Sequence, residues 1–157
     1  REIFSLSDQK AKQYKHQHID NVHVLLSILD TSCLGRKLLE VSKLNLDKLR
    51  VECMDEINSL PVISNLSEKT EITSRLYTVL KSSESKSRSV GDTYVASDIL
   101  ALQILNDKYS KDSKKNTEFD VNTVKANLML DREKNKIMTS AAEDSESSLS
   151  ELSLIHI

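Results

Sequence analysis

Apolar positions recur along the chain at the three-and-four spacing of amphipathic helices, with polar and charged residues between them. A first pattern runs from about Glu2 to Tyr14, where Ile3, Phe4, Leu6, Ala11 and Tyr14 stand among lysines and glutamines. After the polar patch Lys15-His16-Gln17-His18, Asn21 is a good N-cap for a second helix. Its Val22, Leu25, Leu26 and Leu29 fall at i, i+3, i+4 and i+7 and make one core-facing stripe. The stretch from Thr31 to Gly35 breaks the pattern. A third helix follows with Leu38, Leu39 and Leu44, and Asp47 caps a fourth that carries Leu49, Cys53, Ile57 and Leu60 and ends at Pro61.

Residues 62–73 are polar and irregular and read as a surface connector. Thr73 then caps a helix bearing Leu76, Val79 and Leu80, which fades into the solvated, serine- and charge-rich stretch 81–89 and is closed by Gly91. Asp92-Thr93-Tyr94-Val95 leads to Ser97, the cap of a helix with Ile99, Leu102 and Leu105. This is the first half repeated. At an offset of 76, Phe4 falls on Leu80, Leu26 on Leu102, Ile28 on Ile104 and Leu29 on Leu105; one residue less lays Leu46-Asp47-Lys48-Leu49-Arg50 over Val121-Asn122-Thr123-Val124-Lys125. The expected organisation is one domain over residues 1–130, with repeat one at about 1–61 and repeat two at about 73–130, four helices in each. Neither half has enough apolar faces for a dry core alone, so the two are expected to pack with pseudo-twofold symmetry and leave a groove where they meet. Residues 131–157 read as an acidic, serine-rich linker or tail that turns apolar again at Leu152-Ser153-Leu154-Ile155-His156-Ile157.

Composition agrees with an all-α class. Two glycines and one proline in 157 residues are too few turn-formers for a many-stranded sandwich or barrel. A net charge of −2 offers no general attraction to nucleic acid or anionic lipid, and no apolar run exceeds four residues, so neither nucleic acid nor a membrane is an expected partner. The chain opens on Arg1 without a basic-then-apolar leader, as an excised or processed piece would. Cys33 and Cys53 match no metal or redox spacing and read as reduced thiols of a reducing compartment.

The repeated unit resembles the Clp N-terminal (Clp repeat) domain over roughly residues 2–130. The residues that carry the likeness are His16-Gln17-His18-Ile19-Asp20-Asn21-Val22-His23-Val24-Leu25-Leu26-Ser27-Ile28-Leu29 and Gly91-Asp92-Thr93-Tyr94-Val95-Ala96-Ser97-Asp98-Ile99-Leu100. Leu46-Asp47 before Leu49-Arg50, Leu60-Pro61, Leu76 with Val79-Leu80, and Gly91-Asp92 with Tyr94-Val95 and Asp98 look most like the disaggregase branch, ClpB. The resemblance implies a module that binds unfolded or aggregated polypeptide, or an adaptor, on behalf of a hexameric AAA+ ring, in the cytoplasm or an organelle of bacterial descent. It also implies a monomeric fragment without cofactor, with ATP and magnesium belonging to the parent. No phosphate-binding G-x-x-x-x-G-K-[ST] loop is possible with glycines only at 35 and 91, so the chain is not expected to be an enzyme. Set against the resemblance, the family's opening residues before the first helix are expected to be missing or truncated at Arg1. The acid that each repeat supplies in the phosphoarginine-reading branch is kept at Asp98 but replaced by Val22 in repeat one, which argues against that ligand.

The substrate-binding residues implied by the resemblance are Leu80, Asp92, Tyr94, Val95 and Asp98, acids flanking a shallow apolar groove. Local roles compete with that reading: Asp98 at the positive end of a helix dipole, Asp92 in the turn after Gly91. His16, His18 and His23 lie within eight residues but lack the ligand set of a zinc site. His16 is expected to bond backbone at the turn and His23 to lie at the helix surface or edge. The alternative function keeps the same fold as an adaptor- or partner-docking domain of a Clp protease ATPase of the ClpC or ClpA kind, or of a secretion-system ClpV-like unfoldase.

Overall fold

The computed structural model describes residues 2–65, 69–92, 94–109, 120–138 and 155–156, with 134–138 and 155–156 described by backbone alone. It is an all-α fold of two repeats related by pseudo-twofold symmetry. Repeat one holds α1 (Glu2–Gln13), β1 (His18–Ile19), α2 (Asn21–Asp30), α3 (Leu34–Val41) and α4 (Leu46–Ser59). After a connector containing β2 (Glu71–Ile72), repeat two holds α5 (Ser74–Ser89), β3 (Tyr94–Val95), α6 (Ser97–Tyr109) and α7 (Val121–Met138); β4 (Ile155–His156) lies beyond it. By offset α1 matches α5, α2 matches α6 and α4 matches α7. The counterpart of α3 would fall within 110–119, outside the described residues.

The middle of the core is the pair α2 and α6. Residues 21–29 of α2 are all buried, as are nine residues of α6. The i, i+3, i+4, i+7 stripe of α2 is therefore only one of its buried sides: α1, α4, α3, α5 and α6 all pack against it. Packing also crosses between repeats, because α3 lies on α6 and α7. There Gly35 donates its N–H to Ser97 Oγ at 2.8 Å, and a Cβ on Gly35 would stand 2.7 Å from the Ser97 carbonyl oxygen, so only glycine permits this approach. Polar ties close the rest of the seam. Lys108 Nζ meets Glu56 at 2.6 Å, Arg75 Nη1 stands 3.8 Å from the same carboxylate, Thr73 Oγ1 donates to Asp20 at 2.9 Å, and the Tyr109 hydroxyl donates to Glu52.

The helix ends correct several expectations. The N-cap of α2 is Asp20 rather than Asn21, and that of α4 is Asn45 rather than Asp47, whose side chain sits instead in the first turn. Thr73 caps α5 as expected, its hydroxyl accepting from the Leu76 N–H at 3.1 Å. Leu44 lies past the end of α3. It is the residue after a left-handed Lys43 (φ 59°), its N–H returns to the Leu39 carbonyl, and its side chain packs on the core from there. The stretch expected to fade after Leu80 stays helical to Ser89, with Ser83 and Ser87 fully buried. Helix α7 runs past residue 130, so the expected start of the tail falls inside it.

Candidate functional site

The site forms where α5 turns into β3 and the end of α7 crosses it. Helix α5 closes with the Gly91 N–H on the Arg88 carbonyl and the Asp92 N–H on the Ser87 carbonyl, while Gly91 takes φ 84°. Repeat one makes the same closure on α1: Lys15 at φ 59° bonds Lys12, and His16 bonds Ala11. The two turns deliver the matched residues His16 and Asp92, then the matched strands β1 and β3. In each strand the first residue faces solvent and the second is buried, so Ile19 and Val95 occupy equivalent core positions.

Asp92 and Asp98 do not stand free. Arg132, one turn beyond the buried Val124 and Leu128 on the same face of α7, reaches both. Its Nη1 lies 2.7 and 2.6 Å from the two Asp92 oxygens, its Nε 3.1 Å from Asp98 Oδ2 and its Nη2 2.7 Å from Asp98 Oδ1. Asp98 Oδ1 also accepts the Ile99 N–H at 2.9 Å. Burial raises the Asp92 carboxyl above its usual value, with the Arg132 charge pulling it down and Asp98 adding to the rise. Burial alone would lower Arg132, but the two carboxylates, Asp98 ahead of Asp92, raise it, so the guanidinium stays charged. The expected local role of Asp98 at its helix start holds only in part, and Asp92 does more than shape a turn: the two acids are bridged by one arginine.

Of the five residues implied by the resemblance, Tyr94 is 40% exposed, Leu80 is partly buried against the core, and Val95, at 1% exposure, anchors its strand from within. Asp92, Tyr94, Val95 and Asp98 sit along one short segment, and α5, which carries Leu80, packs on β3. Arg132 is the residue missed by sequence reasoning, because position 132 was assigned to the tail. Its signal was the i+4 continuation of Leu128, and the offset of 75 that lays it over the buried Ile57.

The histidines also differ from expectation. His23 is fully buried and completes a capping box: the Asp20 side chain bonds the start of α2, and the Asp20 N–H donates to His23 Nδ1 at 2.9 Å. Nδ1 must therefore be an acceptor, which puts the His23 proton on Nε2, 2.9 Å from His16 Nδ1. His16 thus pairs with a histidine, besides the backbone bond of its own N–H to Ala11. Among the described residues no group of three or more His, Cys, Asp or Glu could hold a metal ion, and no helix is long and apolar enough to cross a membrane.

The family model of the Clp repeat (R) N-terminal domain matches residues 1–116. The chain belongs to the Clp N-terminal domain family. It is 28% identical over 102 residues to the chaperone protein ClpB of Lactiplantibacillus plantarum, covering 64% of this chain and 12% of that protein, so the Clp N-domain described here spans a small fraction of that relative's length. Its backbone is similar to the Hsp104 N-terminal domain from Candida albicans, with a TM-score of 0.68 and 20% identity over 80% of this chain and 83% of the other. It is also similar to a chain from structural investigations of a malarial protein secretion system, with a TM-score of 0.70 and 18% identity over 86% and 92%. Both likenesses concern the fold.

Proposed function

We propose that this Clp N-domain is the substrate-receiving module of a ClpB-like, ATP-dependent disaggregase, holding unfolded or aggregated polypeptide for an AAA+ ring elsewhere in the parent protein. The observation that carries the reading is the half-exposed Tyr94 on a strand pinned by buried Val95, next to the bridged Asp92, Arg132 and Asp98, with the helix that carries partly buried Leu80 packed on the same strand. An apolar ledge with a largely neutralised polar rim suits clients that share exposed apolar side chains and no sequence. Binding at so small a surface is weak, about tens of micromolar. The domain does no chemistry in this reading; ATP and magnesium act in the hexameric parent, in the cytoplasm or an organelle of bacterial descent.

The test is fluorescence anisotropy with labelled, unfolded casein. Tyr94→Ser and Leu80→Ala, each checked for unchanged helicity, weaken binding about fivefold or more by removing buried apolar contact. Unchanged binding in both variants overturns the site. Tight binding of one defined peptide with no binding of casein favours the partner-docking alternative.

A further inference from the structure

Repeat one holds a counterpart of the candidate ledge. At the offset of 76, Phe4 stands for Leu80, His18 for Tyr94 and Ile19 for Val95. The matched residues share their surroundings: Phe4 and Leu80 are partly buried against the core, His18 and Tyr94 are exposed, and Ile19 and Val95 are buried. Helix α1 packs on β1 as α5 packs on β3. In repeat one this strand is covered by residues 69–73 of the connector. Strand β2 runs parallel to β1, with His18 opposite Glu71 and Ile19 opposite Ile72. The Glu71 N–H donates to the Gln17 carbonyl at 3.2 Å and the Thr73 N–H to the Ile19 carbonyl at 3.0 Å. Two side chains add to the cover: Gln17 Nε2 donates to the Lys69 carbonyl at 2.7 Å, and the Thr70 hydroxyl donates to Asp8.

Hydrogen bonds hold this cover, and burial does not. Among the described connector residues between Pro61 and Ile72 no side chain is buried, and Ile72, inside the paired strand, is 38% exposed. A segment with paired backbone and no buried side chain lies at the low end of local stability, so it opens without the helices unfolding. Thr73 fixes its far end, because its hydroxyl caps α5 and donates to Asp20. Once residues 69–72 lift, the Gln17 carbonyl loses the Glu71 N–H and the edge of β1 lies open beside Phe4 and His18. An extended chain is what re-pairs such an edge. The cover displays the chemistry that fits: three of the four residues in Thr70-Glu71-Ile72-Thr73 are β-branched, and they lie parallel to β1.

We propose that the edge of β1 is a second docking site for extended, β-branched polypeptide, and that residues 69–73 are a strap holding it shut in cis. The proposal rests on the client-binding reading only for what the incoming chain is. Backbone pairing supplies affinity with little sequence preference, as that reading requires of both ledges.

The test uses the full chain and the variant Thr70→Ala/Glu71→Pro, which removes the hydroxyl on Asp8 and the N–H on Gln17 while keeping the Thr73 cap. The probe is a fluorescent peptide with the strap's own sequence, Lys-Thr-Glu-Ile-Thr. A competitor in the same chain acts at an effective concentration of about a millimolar, so loosening the strap tightens peptide binding about tenfold, with helical circular dichroism unchanged. In the unaltered chain the Glu71 amide exchanges about tenfold or more faster than the buried α2 amides. Exchange at Glu71 as slow as in α2 means that the strap lifts only on global unfolding, and it overturns the proposal whether or not the variant folds. Equal peptide affinity in the two chains, or peptide-induced shifts that bypass Gln17–Ile19, overturns it as well. Unfolded casein that never displaces the peptide, with the tenfold gain in place, overturns the client reading at this edge and leaves the masked edge standing. Casein binding that needs Tyr94, with no gain in peptide affinity, overturns the masked edge and leaves the client reading in place.

Discussion

Arg132 meets Asp98 through two parallel contacts, Nε to Oδ2 at 3.1 Å and Nη2 to Oδ1 at 2.7 Å, while its Nη1 holds Asp92. The pair fixes the end of α7 over the start of α6, and it does so with planar, two-pronged geometry that lysine cannot reproduce. Removing the arginine leaves two carboxylates close together with little water. Arg132→Ala is expected to cost about 3 kcal/mol in urea unfolding, and Arg132→Lys to recover less than half of it. The variant Arg132→Ala/Asp98→Asn/Asp92→Asn, which removes the unpaired charges as well, should be more stable than Arg132→Ala alone.

Stability depends on pH through His23. Burial first, then the nearby His16, push its pKa down to about 4 from 6.5, against the pull of Asp20 and Glu56. The unfolded chain binds this proton with a pKa near 6.5 and the folded chain only near 4, so between those values the unfolded state holds more protons. Stability is full above about pH 6.5 and is lost as the pH falls toward 4, by about 3 kcal/mol across the window. Urea unfolding at intervals from pH 7 to pH 4 checks the slope. In His23→Gln the slope over this window should flatten.

Left-handed residues close both first helices, with Lys15 in repeat one where repeat two has Gly91. A side chain in that conformation costs about 1 kcal/mol, so Lys15→Gly is expected to raise stability by roughly that amount and Gly91→Lys to lower it. Thermal unfolding of the two variants should shift in opposite directions.

The close approach of α3 to α6 predicts that Gly35→Ala destabilises by about 1–3 kcal/mol, because backbone rather than a yielding side chain stands in the way. Ser97→Ala is expected to cost about 1–2 kcal/mol by leaving the buried Gly35 N–H without its acceptor. Denaturant midpoints should fall while the m-value stays constant.

Much of this fold can be read from the chain. The aliphatic stripes of α2 and α6 and the offset that superposes them are hydrophobic patterns, and burial of such patterns leaves few alternatives. Caps were misread at Asp20 and Asn45 because several residues near each helix start could accept the same N–H groups, and only the path of the chain selects one. Arg132 was hidden for a different reason. Charged residues late in a polar stretch read as solvated, and nothing local reveals that two acids 34 and 40 residues earlier await them, one buried and one partly so. The His16–His23 pair was hidden likewise, since a histidine three residues into a helix caps it only if the fold buries it. Short strands such as β2 and β3, two residues each, leave no periodic trace at all.

Cys53 and Cys33 should differ in reactivity. Burial raises the Cys53 thiol to about 12, while Cys33 is partly exposed, so a thiol reagent is expected to label Cys33 in the native state and Cys53 only as fast as the chain unfolds. Labelling in native buffer and in urea, followed by mass spectrometry, separates the two.

Amide and methyl NMR of the isotopically labelled chain, titrated with unfolded casein, tests the central claim most directly. The account predicts progressive shifts at Leu80, Tyr94, Val95 and the α7 residues around Arg132, with α1 and the His16–His23 pair unmoved. Binding that shifts the α1 and α4 faces instead, or no shifts at all at saturating casein, would contradict it.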